Sequence, residues 1–350
     1  MVSLNHLPLV ELTRGKTVES IHYGSVVAIS SNGKTVWSYG DTNALCFLRS
    51  SAKPFQALAF IEHGGAEKYD LSLKEIAILC ASHSGTDEHV SVLRALQKKI
   101  GIKESNLQCG IHPPYDKQTQ DQLRMRGEKP SPLRHNCSGK HTAMLAFAKM
   151  LGAPLETYLE VNHPVQQAIL KTLAEMCCVE VENVQLGTDG CSAPVFSIPL
   201  KNAALGFARF GDTQGSSQTR VDACALIIKA MTTHPDMVAG PGRFDTLFMQ
   251  TMEGKMMSKS GAEGYLAICI LPDTIKPGSP STGMTLKISD GDLDQRAGPL
   301  VVLEVLKQLG ALNEEQMHSL ARFSERKLTN WRGLEVGEIR VSKVFSIFKN

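Results

Sequence analysis

The chain has 350 residues, of which 42% are hydrophobic and 21% are charged, with a formal net charge of +2 at pH 7. This composition indicates a folded globular protein with room for two sub-domains, and the small charge gives no electrostatic basis for binding nucleic acid or an anionic membrane. No apolar run reaches transmembrane length, and Asn5, His6 and Pro8 interrupt the place where a signal peptide would be apolar, so neither is predicted.

The N-terminal part predicts a β-hairpin followed by a helix. Residues 20–41 hold two apolar runs on either side of Asn32-Gly33, a pair typical of a type I′ turn. A helix is expected to begin near Ser51, because Pro54 is tolerated only in a first helical turn. Ser50 and Lys53 are therefore expected at a helix N-terminus, where the helix dipole favours negative charge.

The middle of the chain predicts mainly helices. Apolar residues recur at helical spacing over Asp87–Ile100, with Asp87 as the expected cap, and again over Lys140–Leu151 and Pro164–Cys177. The pattern continues over residues 202–232, and Gly240-Pro241-Gly242 is expected to end it.

Strands return near the C-terminus. Residues 264–270 and 285–288 predict strands, Ala297–Leu309 predicts a helix, and Val336–Val344 predicts a last strand. Because strands lie at both ends and helices between them, we predict an α/β fold of the α+β kind, with one antiparallel sheet, flanking helices and an inserted helical domain. The whole chain, 1–350, is predicted to be one catalytic unit, with residues 1–60 and 255–350 in the sheet part and residues 61–254 in the helical part.

The cysteines predict a reducing environment. Six of the nine stand in apolar surroundings typical of buried, reduced thiols: Cys46, Cys80, Cys177, Cys178, Cys224 and Cys269. This usage favours a cytoplasmic protein. Cys137 and Cys191 differ, because both lie in polar, glycine-rich segments.

Two serines and two lysines form the first candidate site. Ser50 and Lys53 have the Ser-x-x-Lys spacing of serine acyl-transferases, in which the lysine is the base that activates the serine. Ser82 precedes Gly85, which would allow a tight turn that exposes the serine, and Lys259 opens a Lys-Ser-Gly triplet. Each piece also has an ordinary explanation, namely a solvated helix face, a helix-capping loop and a loop lysine.

Cysteine and histidine form the second candidate site. The segments 135–141 and 187–191 bring together two histidines, Cys137, Cys191 and Asp189, and thiolate and imidazole are zinc ligands. The spacing matches no standard zinc signature. The alternatives are a Cys nucleophile with a His base oriented by Asp189, or histidines that only cap helices.

Taken together, these segments resemble the rhizobial-type (class 3) L-asparaginases, which are related in fold to serine β-lactamases and glutaminases. The resemblance runs from about residue 8 to beyond residue 340 and rests on Arg49-Ser50-Ser51-Ala52-Lys53-Pro54, Ala81-Ser82-His83-Ser84-Gly85, His135-Asn136-Cys137-Ser138-Gly139-Lys140-His141, Gly187-Thr188-Asp189-Gly190-Cys191 and Lys259-Ser260-Gly261-Ala262-Glu263-Gly264.

The resemblance implies a β-lactamase/glutaminase-like fold, a homodimer and hydrolysis of L-asparagine to L-aspartate and ammonia. It implies Ser50 as nucleophile with Lys53 as its partner, and Ser82 with Lys259 as a second pair. The implied zinc ligands are Cys137, Lys140 and Cys191, and the residues implied to line the site are Arg49, His141 and Asp189.

Three other interpretations stay open at this point. A β-lactamase- or peptidase-like hydrolase of larger amides would not need the Cys137 and Cys191 cluster. A zinc-dependent hydrolase would attack with metal hydroxide and would lose its activity when the metal is stripped. A binding protein without activity would leave the Ser-Lys pairs without a purpose.

Overall fold

A computed structural model of the chain describes residues 5–346. These residues form two compact units. The first unit holds the chain up to Cys46, the segment Ile198–Asp212 and the chain from Thr251 onwards. The second unit holds Phe47–Ser197 and Thr213–Gln250. All the candidate site residues except Lys259 lie in the second unit.

The strands lie mainly at the two ends of the chain, as predicted. They are β1 (Leu7–Arg14), β2 (Thr17–Ser30), β3 (Thr35–Tyr39), β4 (Leu45–Phe47), β5 (Gln185–Thr188), β6 (Pro194–Pro199), β7 (Met256–Ser260), β8 (Tyr265–Ile270), β9 (Thr282–Ile288), β10 (Arg326–Thr329) and β11 (Glu335–Val341).

The helices lie mainly in the middle of the chain. They are α1 (Lys53–Glu62), α2 (Gly65–Lys68), α3 (Leu73–Leu79), α4 (Asp87–Ile100), α5 (Lys117–Met125), α6 (Ser138–Leu151), α7 (Pro164–Cys177), α8 (Leu200–Gly211), α9 (Gln218–Thr233), α10 (Pro235–Val238), α11 (Phe244–Met252), α12 (Gly298–Gln308), α13 (Glu314–Ser319) and α14 (Lys343–Ser346). None of the helices in residues 5–346 is long and apolar enough to cross a membrane.

The first unit is built on an antiparallel sheet from the two ends of the chain, which confirms the predicted α+β fold class. Within residues 5–346 its strand order is β10-β11-β1-β2-β9-β8-β7, and β3 pairs with β2 as the eighth strand. The central contact is between β2 and β9, in register from Gly24 opposite Ile288 to Ser30 opposite Thr282. Helix α8 packs so closely on this sheet that a Cβ atom on Gly283 would lie 1.8 Å from the carbonyl oxygen of Ala204.

The predicted hairpin is present, but its turn is not of type I′. Strands β2 and β3 pair antiparallel, from Val26 opposite Tyr39 to Ile29 opposite Thr35. A type I′ turn needs positive φ at both central residues. Gly33 has φ +83°, whereas Asn32 is not among the residues with positive φ. The connection is instead a longer loop over residues 31–34.

Local details of several predicted helices differ from expectation. Helix α4 begins at Asp87 as predicted, but its cap is Thr86, whose hydroxyl accepts the His89 N–H. The pattern over residues 202–232 divides into α8 and α9, because residues 212–217 are not helical. Cys178, predicted to be buried, is exposed at the left-handed C-cap of α7, with φ +50°.

The second unit buries the first helix of the chain almost completely. Every residue from Lys53 to Ile61 in α1 is buried, and α1 packs against α6, α7 and α9. Helix α6 is just as deeply placed, since Ser138–Ala148 are all buried. A lysine at the start of a helix that is buried on all sides cannot extend its amine into solvent, and this packing is what places Lys53 in the site.

Candidate active site

Ser50 lies in a single turn of 3-10 helix that leads directly into α1. The turn covers Arg49–Ala52, and the backbone N–H of Lys53 donates to the carbonyl oxygen of Ser50. Arg49 has φ +50°, a left-handed conformation that a long side chain adopts only when its surroundings enforce it. Ser50 is half-buried, so its hydroxyl remains reachable at the start of an otherwise buried helix.

The amine of Lys53 is enclosed by three oxygen atoms. Its Nζ lies 2.6 Å from the carbonyl oxygen of Ala81, 3.0 Å from Ser82 Oγ and 3.3 Å from the carbonyl oxygen of Asn136. The side chain is 0% exposed. Each of these contacts comes from a different part of the chain than the Ser-x-x-Lys segment, so the packing of the second unit fixes the amine in place.

Burial lowers the pKa of Lys53 from its ordinary value, and the charge of Lys140 lowers it further, against the opposing effect of Cys137. The amine donates to the two carbonyl oxygens and to Ser82 Oγ. A lowered pKa brings a lysine closer to the neutral form in which an amine can act as a base.

The structure thus brings Lys53 to Ser82 rather than into hydrogen-bond contact with Ser50. In the described part of the chain the Ser50 hydroxyl makes no hydrogen bond. Ser82 itself is 4% exposed, so the expected turn does not expose it. Gly85 does have the positive φ predicted for it, at +72°. Ser82 is therefore a buried partner of the base, and Ser50 is the more open serine.

Two thiols and a lysine form a second group beside this one. Helix α6 is preceded by Cys137 and contains Lys140, whose Nζ lies 3.0 Å from Cys191 Sγ. All three side chains are buried. The cysteines are free thiols, so no disulfide joins them.

The two thiols and the lysine of this group shift each other's pKa in opposite directions. A hydrogen bond from Cys191 and the positive charges of Lys53 and Lys140 hold the pKa of Cys137 well below its usual range, although burial alone would raise it. The same hydrogen bond, together with burial, raises the pKa of Cys191. Burial alone would lower the pKa of Lys140, but the neighbouring Cys137, Cys191 and Asp189 raise it. These shifts favour a thiolate at Cys137, a thiol at Cys191 and an ammonium at Lys140.

Arg49 and Asp189 form an ion pair at the edge of the thiol group. Arg49 Nε lies 2.9 Å from Asp189 Oδ1, and Asp189 Oδ2 lies 3.9 Å from both Lys140 Nζ and Cys191 Sγ. The predicted site residues Arg49 and Asp189 therefore do lie together. Their role in binding a substrate stays a prediction.

His141 directs one ring nitrogen to a buried tyrosine. Its Nδ1 lies 2.6 Å from the Tyr158 hydroxyl, which also accepts the Gln108 N–H at 2.9 Å. In residues 5–346 the hydroxyl hydrogen has no acceptor other than His141 Nδ1, so the histidine proton belongs on Nε2. That Nε2 is buried and has no hydrogen-bond partner in the described structure. Burial and the charge of Lys140 lower the pKa of His141 well below its usual value, which keeps the ring neutral.

Lys259 lies on β7, which is the end strand of the sheet order among the described residues. Its side chain is 0% exposed and its Nζ donates to the carbonyl oxygen of Ser260 at 2.8 Å. It belongs to the first unit, whereas Ser82 belongs to the second. The pairing of Lys259 with Ser82 stays a prediction.

Four residues of the site have no counterpart in the sequence-based prediction. Asn136 supplies a carbonyl oxygen to Lys53, and Tyr158 fixes the proton of His141. His112 accepts the Asn136 N–H through Nε2 at 3.0 Å, and Arg243 donates to the Ser82 carbonyl oxygen at 2.6 Å. Asn136 lies in the segment 135–141 that carries the family resemblance, whereas the other three are ordinary residues in the sequence.

Comparison with known proteins places the chain in a family. The sequence profile of the family described as L-asparaginase II matches residues 10–341. The chain belongs to this family. The resemblance predicted from the sequence motifs is confirmed, and the chain is accordingly an amidohydrolase.

More distant similarities exist among solved structures. A Bacillus glutaminase is 12% identical over 81% of this chain and 90% of its own, with a TM-score of 0.39. A β-lactamase from Sphaerobacter thermophilus is 12% identical over 83% of this chain and 92% of its own, and one from Mycobacterium bovis is 13% identical over 82% and 95%, each with a TM-score of 0.43. Comparison with curated protein sequences gave no match.

Replacing Tyr158 with phenylalanine tests the assigned tautomer of His141. The change leaves the Gln108 N–H and His141 Nδ1 without their partner, so we expect a loss of about 1–3 kcal/mol of unfolding free energy. Nitrogen-15 NMR of His141 should change from a single Nε2–H tautomer to a mixture. Tyr69→Phe, which removes a hydroxyl bonded to the Ala146 carbonyl oxygen elsewhere, is the matched control. An unchanged His141 spectrum in Tyr158→Phe would contradict the assignment.

Proposed function

We propose that the protein hydrolyses the side-chain amide of L-asparagine to L-aspartate and ammonia, through a covalent intermediate on a serine. The observation that carries this proposal is the amine of Lys53, which is buried, has a lowered pKa and lies 3.0 Å from Ser82 Oγ in a chain of the L-asparaginase II family. A neutral amine beside a serine is the requirement for nucleophilic catalysis by a hydroxyl group.

Ser50 is the proposed nucleophile. It is half-buried and its hydroxyl has no hydrogen-bond partner within residues 5–346, whereas Ser82 is held by Lys53. As the Ser50 oxygen forms a bond to the amide carbon, its proton passes to the Lys53 amine, which becomes an ammonium; this step requires the Ser50 hydroxyl to come within hydrogen-bond reach of that amine. The negative charge that develops on the amide oxygen is stabilised by the positive end of α1, which begins at Lys53.

Ser82 is the proposed route of the proton to the leaving group. The Lys53 ammonium returns the proton through the Ser82 hydroxyl to the amide nitrogen, the carbon–nitrogen bond breaks, and ammonia leaves. Water then attacks the β-aspartyl ester, giving its proton to Lys53 by the same route, and Ser50 recovers its hydroxyl hydrogen as aspartate departs. Lys259 remains the predicted second partner of Ser82.

A zinc ion is the proposed cofactor, and the donor set fits it. Cys137, Lys140 and Cys191 are adjacent and buried, and Lys140 Nζ lies 3.0 Å from Cys191 Sγ. Thiolate sulfur is a preferred ligand of zinc. No group of three or more His, Cys, Asp or Glu side chains in residues 5–346 is placed to hold a metal, so the third donor would be the lysine, which must lose its proton to bind. Bound zinc would fix this side of the pocket and polarise a ligand there.

The other predicted properties belong to the proposal as well. The His141 Nε2–H is a buried donor that can meet a polar group of the substrate or a metal-bound water. The homodimer and the cytoplasmic location stay predictions from the family resemblance and from the reduced cysteines. None of these alters the acyl-transfer chemistry proposed for Ser50.

Ammonia release from L-asparagine and from L-glutamine tests the proposed reaction. We expect the wild-type chain to release ammonia from asparagine. Ser50→Ala and Lys53→Met should each lose at least about 10³-fold in kcat/KM, because removing one member of a nucleophile–base unit disables the whole unit. Ser319→Ala, on the exposed surface of α13, is the matched control. Full activity in Ser50→Ala would end the covalent proposal for that residue.

Zinc binding and metal removal test the cofactor. We expect the metal-free chain to bind zinc, and Cys137→Ser and Cys191→Ser to weaken that binding by at least about 10-fold. Cys178→Ser, which changes an exposed thiol, should bind zinc like the wild type. The stripped enzyme should keep part of its turnover. Complete loss that returns with zinc would favour attack by metal hydroxide, and equal zinc binding by all variants would rule out this site.

A further inference from the structure

Arg243 is a partly buried cation beside Ser82. One of its nitrogens, Nη1, donates to the carbonyl oxygen of Ser82 at 2.6 Å, and its guanidinium lies over the Tyr115 ring at 5.7 Å from the centroid. It forms no ion pair with any carboxylate in residues 5–346. The guanidinium has five N–H donors, of which the structure assigns one, so several remain for a ligand.

This lack of a carboxylate distinguishes Arg243 from the other partly or fully buried arginines of the second unit. Arg49 is paired with Asp189 at 2.9 Å. Arg134 and Arg220 also have carboxylate partners. Taking a cation out of water without a counter-charge is unfavourable, so a half-buried arginine without one indicates a place for an anion.

The backbone holds Arg243 against the Ser82 segment. The Ser82 N–H donates to the Val238 carbonyl oxygen at 2.9 Å, and the Ser84 hydroxyl donates to the Ala239 carbonyl oxygen at 2.7 Å. Gly240 has φ +118°, and a Cβ atom there would lie 2.6 Å from Ser84 Oγ. Only glycine permits this close approach, which fixes the start of the loop that carries Arg243.

Arg243 also belongs to a closed circuit of contacts around the catalytic pair. Tyr115 stacks on His112 with ring centroids 4.8 Å apart, and His112 Nε2 accepts the Asn136 N–H. The circuit passes through Lys53, Ser82, Arg243, Tyr115, His112 and Asn136 and returns to Lys53. Tyr115 is 56% exposed, so this side of the circuit is open to solvent.

The distances suit one amino acid. The carbonyl and hydroxyl oxygens of one serine lie within about 5 Å of each other, and Arg243 Nη1 is 2.6 Å from the Ser82 carbonyl oxygen, so Nη1 lies within roughly 8 Å of Ser82 Oγ. The two polar ends of asparagine are separated by about 5 Å, and a hydrogen bond adds about 3 Å. A substrate whose amide lies at Ser82 and Lys53 can therefore reach Arg243 with its carboxylate.

We propose that Arg243 binds the α-carboxylate of the substrate and so restricts the enzyme to amides of free amino acids. The proposal rests on the amidohydrolase function proposed above and adds a substrate class to it. An asparagine whose carboxylate is blocked, as in an α-amide or within a peptide, lacks the group that this cation binds. Arg243 contributes to recognition and takes no part in proton transfer.

The test compares two enzymes on two substrates. Wild type and Arg243→Gln are assayed for release of the β-amide nitrogen from L-asparagine and from L-aspartic acid diamide, in which the α-carboxylate is an uncharged amide. We expect Arg243→Gln to lose about 10- to 100-fold in kcat/KM on asparagine, mainly through KM. On the diamide, the kcat/KM values of the wild type and Arg243→Gln should agree within about threefold. Arg243→Lys should recover part of the loss, and Arg124→Gln, on the exposed surface of α5, should match the wild type on both substrates.

The outcomes separate this proposal from the one on which it rests. If the wild type hydrolyses neither substrate, the proposed function fails. If the wild type cleaves asparagine but Arg243→Gln loses equally on both substrates, or on neither, the carboxylate proposal fails. If the Arg243→Gln variant does not fold, the comparison of the two substrates with the wild type tests the proposal. The proposal then requires the wild-type kcat/KM for asparagine to exceed that for the diamide by at least about 10-fold.

Discussion

The site depends on one buried amine. Lys53 begins a helix whose residues up to Ile61 are all buried, so the fold leaves its side chain no path to water. Two backbone carbonyls and one serine hydroxyl surround the nitrogen instead. Burial lowers its pKa, which favours the neutral form that can act as a base. The packing of α1 against α6, α7 and α9 is therefore a requirement of the proposed chemistry as well as a source of stability.

The surrounding charges divide the site into a neutral part and a charged part. The thiol group keeps its ammonium and thiolate together at Lys140 and Cys137, and Arg49 is neutralised by Asp189. Arg243 is the partly buried arginine of the second unit that has no such counter-charge among residues 5–346. Under the proposed function, this arrangement suits a small substrate that carries its own negative charge and whose amide can reach Lys53.

Much of the architecture could be predicted from local patterns. The boundaries of α7 and the first residue of α4 follow from helical spacing and from Pro164, and the sheet follows from strands at both ends. The cap of α4 does not, because it is Thr86 and not the expected Asp87. Strand β1 was not predicted, because proline disfavours the interior of a strand. Pro8 lies next to the first residue of β1, where proline is tolerated. Strand β7, which carries Lys259, reads as a polar loop in the sequence because its burial comes from its sheet neighbours.

The sequence predicts which residues form the candidate site better than it predicts which of these residues touch each other. The motifs supply Ser50, Lys53 and Ser82, but spacing alone pairs the lysine with the serine three residues before it. The fold instead brings Lys53 to Ser82, 29 positions away in sequence. Tyr158 and Arg243 are ordinary residues in the sequence, and only the tertiary structure shows what they touch.

In the proposed reaction, turnover passes through a covalent bond to Ser50. Rapid quenching during hydrolysis of L-asparagine, followed by peptide mapping with mass spectrometry, measures this bond directly. We expect a β-aspartyl group on the peptide that contains Ser50 and none on the peptide that contains Ser82. A modified Ser82 would contradict the roles given to the two serines. If all of the enzyme present during turnover is recovered as mapped peptides and no serine-containing peptide carries a β-aspartyl group, acyl transfer to a serine is contradicted.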